Sequence, residues 1–96
     1  MNDLQIRCFL EVANCLSFTK AAKHLFISQS NISRQISSLE EEWDLVLFDR
    51  NTKGVKLTAQ GQMLAETLEE MLENWNTVMT RAKNSVRKYA GTITIG

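Results

Sequence analysis

The sequence has no long apolar run, and this absence excludes a membrane-spanning protein. No stretch approaches the ~18 consecutive apolar residues that a transmembrane helix needs. No apolar signal-peptide core follows Met1 either, so we expect a soluble cytoplasmic protein. At 96 residues the chain is long enough for one small domain with a modest core, and too short for two.

Residues that build catalytic and metal sites are scarce. The chain has two cysteines and one histidine. If Cys8 and Cys15 share a helix, they lie roughly 10 Å apart along its axis, beyond the ~7 Å between Cα atoms that a disulfide allows. We therefore expect reduced thiols and no metal site, with His24 on a helix surface or facing a partner. An enzyme is also disfavoured, because no nucleophile lies close to a base and no glycine loop could cradle a phosphate.

The chain also has no net charge, but its cations and carboxylates are concentrated in different parts of the sequence. Lysine plus arginine equals aspartate plus glutamate at 11 each, so bulk charge does not indicate a nucleic-acid partner. Residues 20–39 and 50–57 each carry three cations and no carboxylate, whereas residues 40–49 carry five carboxylates and no cation. An electrostatic footprint for a charged ligand requires this kind of segregation.

Apolar residues at helical spacing predict three helices in the first 43 residues. The predicted helices cover residues 3–15, 18–25 and 29–43. Ser17 and Ser28 are placed to cap the second and third of them. Only three or four residues join these two, which is the spacing of a helix-turn-helix.

From residue 45 the pattern predicts a hairpin and then a long helix. Residues 45–50 and 54–57 are β-prone, and Gly54 supplies the positive φ that the loop needs. Thr58 is placed to cap a helix of roughly thirty residues. The apolar face of this helix is too wide for the preceding residues to cover, so part of it should meet a partner. The residues predicted to make this contact are Leu64, Leu68, Met71, Trp75, Val78, Met79 and Ala82.

The chain ends in GTITIG, where Gly91 is expected to end the helix and residues 92–95 alternate as a strand does. We interpret this run as the first strand of a further domain, with a frayed tail as the alternative. The predicted fold is mainly α with a small β-hairpin. It consists of a winged helix-turn-helix over residues 1–57, a long helix over 58–90 and the start of a further domain at 91–96.

The predicted third helix has two chemically different sides. Ile32 and Ile36 lie on one side, whereas Ser30, Arg34 and Ser37 lie near the opposite pole. Small side chains on that pole would let the helix enter the major groove of B-DNA, which is ~12 Å wide. The alternative is a solvated polar face on an ordinary three-helix bundle. The short helix before it and the hairpin after it, with a charge of +3, favour DNA.

Each polar residue of the third helix suits a particular contact. Arg34 can fork onto guanine and Gln29 can pair with adenine. The hydroxyls of Ser28 and Ser33 suit phosphate oxygens. A cation in the hairpin, such as Arg50, would reach adjacent phosphates or the minor groove.

Residues 17–61 also carry motifs with fixed spacings. They include Ser17-Phe18-Thr19 with Ala21-Ala22, Ser33-Arg34-Gln35-Ile36, Leu47-Phe48 with Arg50, and Leu57-Thr58 before Gly61. With these motifs, residues 4 to about 90 closely resemble the N-terminal region of LysR-type transcriptional regulators. The resemblance implies a winged helix-turn-helix and a linker helix that pairs with a second copy. In full-length members it also implies an effector-binding domain of periplasmic-binding-protein type, and residues 91–96 resemble the opening strand of that domain. A small-molecule effector of unknown identity and assembly into dimers or tetramers are implied as well.

The resemblance places the reading helix at residues 28–39. Many members have Pro where this chain has Ser30 and Gly where it has Leu16. The resemblance and the chemistry of the side chains together give the candidate DNA-binding residues. They are Thr19, Lys20, Ser28, Gln29, Ser30, Asn31, Ser33, Arg34, Ser37, Arg50 and Lys53. We predict a dimeric, sequence-specific regulator of a double-stranded operator with two half-sites, without a cofactor in this segment. The alternative is a winged-helix module for protein assembly that does not read DNA sequence.

Overall fold

The computed structural model describes residues 1–50 and 54–95, with side chains up to residue 85. Its elements in chain order are α1 (Asp3–Cys15), α2 (Phe18–Leu25), α3 (Gln29–Trp43), β1 (Phe48–Asp49), β2 (Lys56–Leu57) and α4 (Ala59–Ile95). The predicted fold class and the limits of the first three helices are confirmed. No helix within the described residues is long and apolar enough to cross a membrane.

Side-chain caps fix the starts of the first three helices. The Asn2 carboxamide oxygen accepts from the Gln5 backbone N–H at 2.8 Å, and the Gln5 side chain accepts from the Asn2 N–H at 3.0 Å, which is a capping box. The hydroxyls of Ser17 and Ser28 each accept from the backbone N–H three residues on, at 3.1 Å. Each start is therefore set by bonds within one turn of chain, which explains why sequence pattern located it.

The same three helices end at residues with positive φ that are not glycine. These are Leu16 at 52°, Phe26 at 58° and Asp44 at 53°. A left-handed residue lets the chain leave a helix while its N–H satisfies a terminal carbonyl, as Leu16 does by donating to the Val12 oxygen at 2.7 Å. Leucine therefore does not prevent this turn, although the conformation costs a residue with a Cβ about 1–2 kcal/mol.

The core joins the three helices to the hairpin. Its fully buried side chains are Cys8, Phe9, Val12, Ala21, Ile32, Ile36, Leu39 and Leu47. Phe48 of β1 is 3% exposed, and its ring meets Phe9 and Phe18 edge-on at centroid distances of 5.7 and 6.0 Å. The hairpin is thereby anchored in the core that holds α3.

The hairpin is antiparallel, with Phe48 opposite Leu57 and Asp49 opposite Lys56. Its strands have two residues each, so the predicted strands over 45–50 and 54–57 are too long. The first strand is shorter because the backbone N–H of Leu47, the residue before β1, donates to the Glu40 carboxylate at 2.7 Å and not to a neighbouring strand. Gly54 has the predicted positive φ, at 105°. The predicted connecting residues 51–53 lie outside the described residues.

The first turn of α4 packs directly on the segment before β1. Thr58 caps this helix as predicted, because its hydroxyl accepts from the Gly61 N–H at 3.0 Å while donating to the Val46 carbonyl. The Thr58 N–H donates to the Leu47 carbonyl at 3.0 Å. Gly61 is buried, and a Cβ there would overlap that same carbonyl oxygen. Glycine is therefore required by close approach of two backbones.

The chain divides into two compact units, Met1–Glu66 and Thr67–Gly96. We call the first the body and the second the distal helix. The body thus includes the first two turns of α4.

The helix α4 continues through Gly91 to Ile95, so the predicted helix end at Gly91 and the predicted strand over 92–95 are wrong. A helix satisfies its own backbone hydrogen bonds, whereas a strand needs a neighbour. Within the described ranges, the two strands pair only with each other. The assignment of residues 91–96 to a further domain stays a prediction.

Candidate nucleic-acid interface

The predicted division of α3 into two sides is confirmed. Ile32, Ile36 and Leu39 are 0% exposed and face the core. Ser30 and Arg34 are exposed on the other side. The core contacts therefore fix the rotation of the helix about its axis and determine which side chains reach solvent.

Five of the predicted site residues line one open, shallow depression on the exposed side of α3. They are Gln29, Ser30, Ser33, Arg34 and Ser37. The three serines are short, so Arg34 is the long cationic side chain of this surface. We call these five residues the reading surface.

The start of α2 adjoins the reading surface. The Thr19 hydroxyl donates to the Gln29 side-chain oxygen at 3.3 Å. Lys20 follows Thr19 and is exposed. The fold therefore brings the first turn of α2, with one cation, beside the start of α3.

Arg50 lies beside α3, immediately after β1. Its guanidinium carbon lies 4.5 Å from the centroid of the Phe18 ring, a cation–π geometry. Its Nη1 donates to the Ser33 hydroxyl at 3.3 Å. Phe18 therefore positions a cation at the edge of the reading surface. This role was missed from the sequence, because the two residues are far apart in the chain and no local pattern links them.

Two of the predicted DNA-contacting residues, Ser28 at the cap of α3 and Asn31 in its first turn, already make hydrogen bonds within this helix. The Ser28 hydroxyl accepts the capping N–H of Asn31, and it lies 3.4 Å from the Ser30 hydroxyl. Asn31 is half-buried, and its side-chain oxygen accepts from the Gln35 amide at 3.1 Å. Asn31 is not among the residues that line the reading surface. Lys53 lies outside the described residues.

The opposite end of α3 is acidic. A second open depression is lined by residues that include Glu40, Glu41 and Asp44. The Glu40 carboxylate accepts from the Leu47 N–H, so it also holds the segment before the hairpin. Negative charge at this end disfavours a close phosphate, whereas the start of the helix carries none.

A second polar cluster, which shares no residue with the reading surface, lies where α1 meets α2. Glu11, Cys15 and His24 place one ligand atom each within 4.8 Å of one another. No metal-ligand cluster was expected from the sequence, because the three residues come together only through packing of two helices. His24 is exposed, as predicted.

Both cysteines are free thiols, as predicted. Burial raises the pKa of the Cys8 thiol above its ordinary value. Partial burial and the neighbouring Glu11 carboxylate likewise raise the pKa of the Cys15 thiol. Neither thiol therefore has the lowered pKa of a reactive cysteine.

The distal helix exposes an apolar stripe. Trp75 is 61% exposed and Met71 58%, and Val78 and Met79 are also exposed on the same side. These four residues and the exposed Ala82 were predicted as dimer contacts. Leu68 is only 9% exposed in the single chain and Leu64 is half-buried. These two therefore offer a partner little surface.

The arrangement of these elements defines a class of protein. Two helices joined by a short turn, with the second exposing a polar side and an antiparallel hairpin anchored beside it, form a winged helix-turn-helix. Residues 4–62 match the family model described as bacterial regulatory helix-turn-helix protein, lysR family. The chain belongs to the LysR family.

Individual relatives agree with this membership. The chain is 40% identical over 91 residues to the HTH-type transcriptional regulator BudR of Klebsiella aerogenes, covering 95% of this chain and 64% of BudR. It is 34% identical over 97 residues to the HTH-type transcriptional regulator BsdA of Bacillus subtilis, covering 100% of this chain and 33% of BsdA. The chain therefore spans about a third of BsdA and under two thirds of BudR.

A solved structure gives the same result for the fold. The BenM DNA-binding domain in complex with benA site 1 DNA superposes with a TM-score of 0.82 at 36% identity. The match covers 88% of this chain and 94% of that domain. The winged helix-turn-helix followed by a long helix is thus shared with a protein crystallised on DNA.

Proposed function

We propose that this chain is the sequence-specific DNA-binding and dimerisation region of a transcriptional regulator. The observation that carries the proposal is the reading surface. Its five residues line one open depression, and three of them, Ser30, Arg34 and Ser37, lie opposite the buried residues of the same helix. A rigid helix that presents short polar side chains around one arginine fits the major groove, because little bulk keeps its axis away from the base edges.

Arg34 and Gln29 carry the base-specific contacts in this proposal. An arginine can donate two parallel hydrogen bonds to guanine O6 and N7, and a glutamine can pair with adenine N6 and N7. A bidentate pair of this kind discriminates against a wrong base by about 1–3 kcal/mol. The Gln29 side chain accepts from Thr19 in the structure, so α2 orients it for contact.

Phosphate contacts would come from the rim of the reading surface. Arg50 is already held against Phe18 and Ser33, so less side-chain freedom is lost when it meets a phosphate. Lys20 adds a cation at the start of α2. Contacts of this kind set the register of a protein on the duplex without reading its sequence.

The charge along α3 sets its orientation on the duplex. Residues 29–39 carry one cation and no carboxylate, whereas residues 40–42 are three consecutive glutamates. The first half of the helix would therefore enter the groove and the acidic end would stay outside it. The free N–H groups of the first turn favour the same orientation, because a helix N-terminus attracts anions.

The distal helix supplies the second half-site in this proposal. An exposed stripe containing Trp75, Met71 and Val78 is unfavourable in water. Pairing with a second copy would bury it and place two reading surfaces on one duplex. Two-fold symmetry then predicts related half-sites at a fixed spacing.

The rest of the protein is also part of the proposal. BudR and BsdA are described as transcriptional regulators, and the BenM domain was crystallised with DNA. These descriptions support regulation by DNA binding rather than enzymatic activity for this chain. We expect a full-length form to carry an effector-binding domain for a small molecule and to form dimers or tetramers, without a cofactor in residues 1–96.

Selection of bound duplexes from a random pool tests the proposal. The expected result is an alignment with two related half-sites, and a log K for the selected duplex that falls steeply and linearly with log salt. A scrambled duplex of the same length and composition is the control. Equal binding of both duplexes at low salt, with none near physiological salt, would contradict sequence reading and favour the protein-assembly module.

A further inference from the structure

We propose that Glu11, Cys15 and His24 form a binding site for a zinc-class divalent ion. The site lies in the body, where the last turn of α1 meets α2, and none of the three residues belongs to the reading surface. The ion would bind here whether or not the chain reads DNA. We call these three residues the α1–α2 cluster.

Two of the three distances between ligand atoms in the cluster fit a tetrahedral ion. The Cys15 sulfur lies 3.5 Å from Glu11 Oε1 and 3.5 Å from His24 Nδ1. Zinc bonds of ~2.3 Å to sulfur and ~2.0–2.1 Å to nitrogen or oxygen, at tetrahedral angles, separate such atoms by ~3.5 Å. The sulfur therefore already lies at ligand spacing from both of its neighbours.

The third distance, between Glu11 and His24, must lengthen when the ion binds. Glu11 Oε1 and His24 Nδ1 are 2.5 Å apart, which is a hydrogen bond, and a tetrahedral ion would separate them by roughly 0.8 Å more. The His24 side chain is 57% exposed, so its ring can turn without disturbing the core. The ion would replace this one hydrogen bond with three coordinate bonds.

Regular secondary structure places the ligands. Glu11 and Cys15 are four residues apart on α1, so they lie on one face of the helix, one turn apart. His24 is in the last turn of α2. Buried residues of both helices, including Val12 and Ala21, hold this crossing in place. The cluster is therefore largely formed before any ion arrives.

The donor set selects the class of ion. A thiolate, an imidazole nitrogen and a carboxylate oxygen are the three ligand types that zinc takes together, whereas magnesium and calcium prefer oxygen alone. The thiol proton would leave to solvent as the sulfur binds, and Nδ1 would bind as the neutral imidazole. The Glu11 side chain is 27% exposed, so a water can complete a fourth position, as in sites with three protein ligands.

Cobalt(II), added to the reduced chain, is the probe. A thiolate-bound tetrahedral site is expected to give a sulfur-to-cobalt charge-transfer band in the near ultraviolet and strong visible d–d bands. Cys15→Ser should abolish the charge-transfer band, and His24→Asn should weaken the visible bands. Cys8→Ala, which removes the other thiol, should leave the spectrum unchanged.

Zinc affinity, measured by competition with a chromogenic chelator, provides the second readout. Loss of Glu11 or His24 by substitution with Gln or Asn should weaken binding roughly tenfold or more, since even outer-shell losses typically cost ten- to a hundredfold. Zinc should also raise the melting temperature of the unmodified chain, because an ion that binds the folded state stabilises it. No such rise is expected for Cys15→Ser.

Three results would overturn the proposal. One is a cobalt spectrum without a charge-transfer band. Another is a band that persists in Cys15→Ser but disappears in Cys8→Ala. The third is equal zinc affinity in the unmodified chain and in His24→Asn, which would indicate non-specific surface binding.

Discussion

The body and the distal helix use the same apolar spacing in opposite ways. In α3 the repeat places Ile32, Ile36 and Leu39 at 0% exposure. In the distal helix a similar repeat leaves Trp75 61% and Met71 58% exposed. Periodicity therefore identifies the face of a helix that is to be covered, but it does not tell whether the cover lies in the same chain.

The largest expected effect comes from the body. Ile36→Ala leaves a cavity between α3 and the core and should lower the free energy of unfolding by roughly 2–5 kcal/mol. The measurement is denaturant unfolding at one fixed protein concentration, because the proposed dimerisation would also contribute to stability. Ser38→Ala, two residues along on the exposed side, is the control and should stay within about 0.5 kcal/mol. Equal stability of the two variants would mean that the core does not depend on α3.

The matching change in the distal helix should alter assembly instead. Trp75→Glu places a charge in the exposed stripe and should weaken the dimer by about 2 kcal/mol or more, roughly thirtyfold in dissociation constant. Sedimentation over a range of concentrations measures it. Thr77→Glu, on the opposite side of the same turn, should leave the dimer intact. Unchanged dimers in the Trp75 variant would show that the stripe does not form the interface.

A smaller effect is expected from a substitution at Gly61, which tests whether the start of α4 packs as part of the body. Gly61 belongs to α4 by secondary structure but to the body by packing. Gly61→Ala should destabilise by about 1–3 kcal/mol, because the added Cβ overlaps the Leu47 carbonyl, and this outweighs the gain of about 1 kcal/mol in helix propensity. Gln60→Ala, exposed in the same turn, serves as the control for thermal unfolding. A more stable Gly61 variant would contradict the close approach.

The smallest effect concerns the end of α1. Leu16 is 46% exposed with a φ of 52°, so Leu16→Gly relieves strain with little loss of packing. The expected gain is up to about 1 kcal/mol. Asn14→Gly, inside the helix, should instead lose about 0.5–1 kcal/mol, and thermal melts compare the pair. If the Leu16 variant were less stable, packing of the leucine side chain would stabilise the protein by more than its left-handed conformation costs.

The sequence was sufficient where structure is set locally. The limits of α1, α2 and α3 follow from caps such as Ser17 and Ser28, each bonded within one turn. The outward positions of Ser30, Arg34 and Ser37 also follow, because burial of Ile32 and Ile36 fixes which residues lie opposite them.

The rest depends on contacts between distant residues. The predicted strands were too long because Glu40 takes the Leu47 N–H. The position of Arg50 over Phe18 and the α1–α2 cluster both arise from packing that periodicity does not encode. The predicted strand at residues 92–95 was wrong because alternation alone cannot supply a neighbouring strand.

Base preference of the Arg34→Ala variant is the most direct test of the account. Affinities are measured for the selected duplex and for duplexes altered at each position of a half-site, at one salt concentration. Base preference is expected to relax at one position per half-site, with about 1–3 kcal/mol of discrimination lost there. Arg7→Ala, which removes an exposed arginine of α1 that pairs with Asp3 at 3.0 Å, should bind as the unmodified chain does. Unchanged affinity and unchanged preference in the Arg34 variant would contradict the claim that the exposed side of α3 reads DNA.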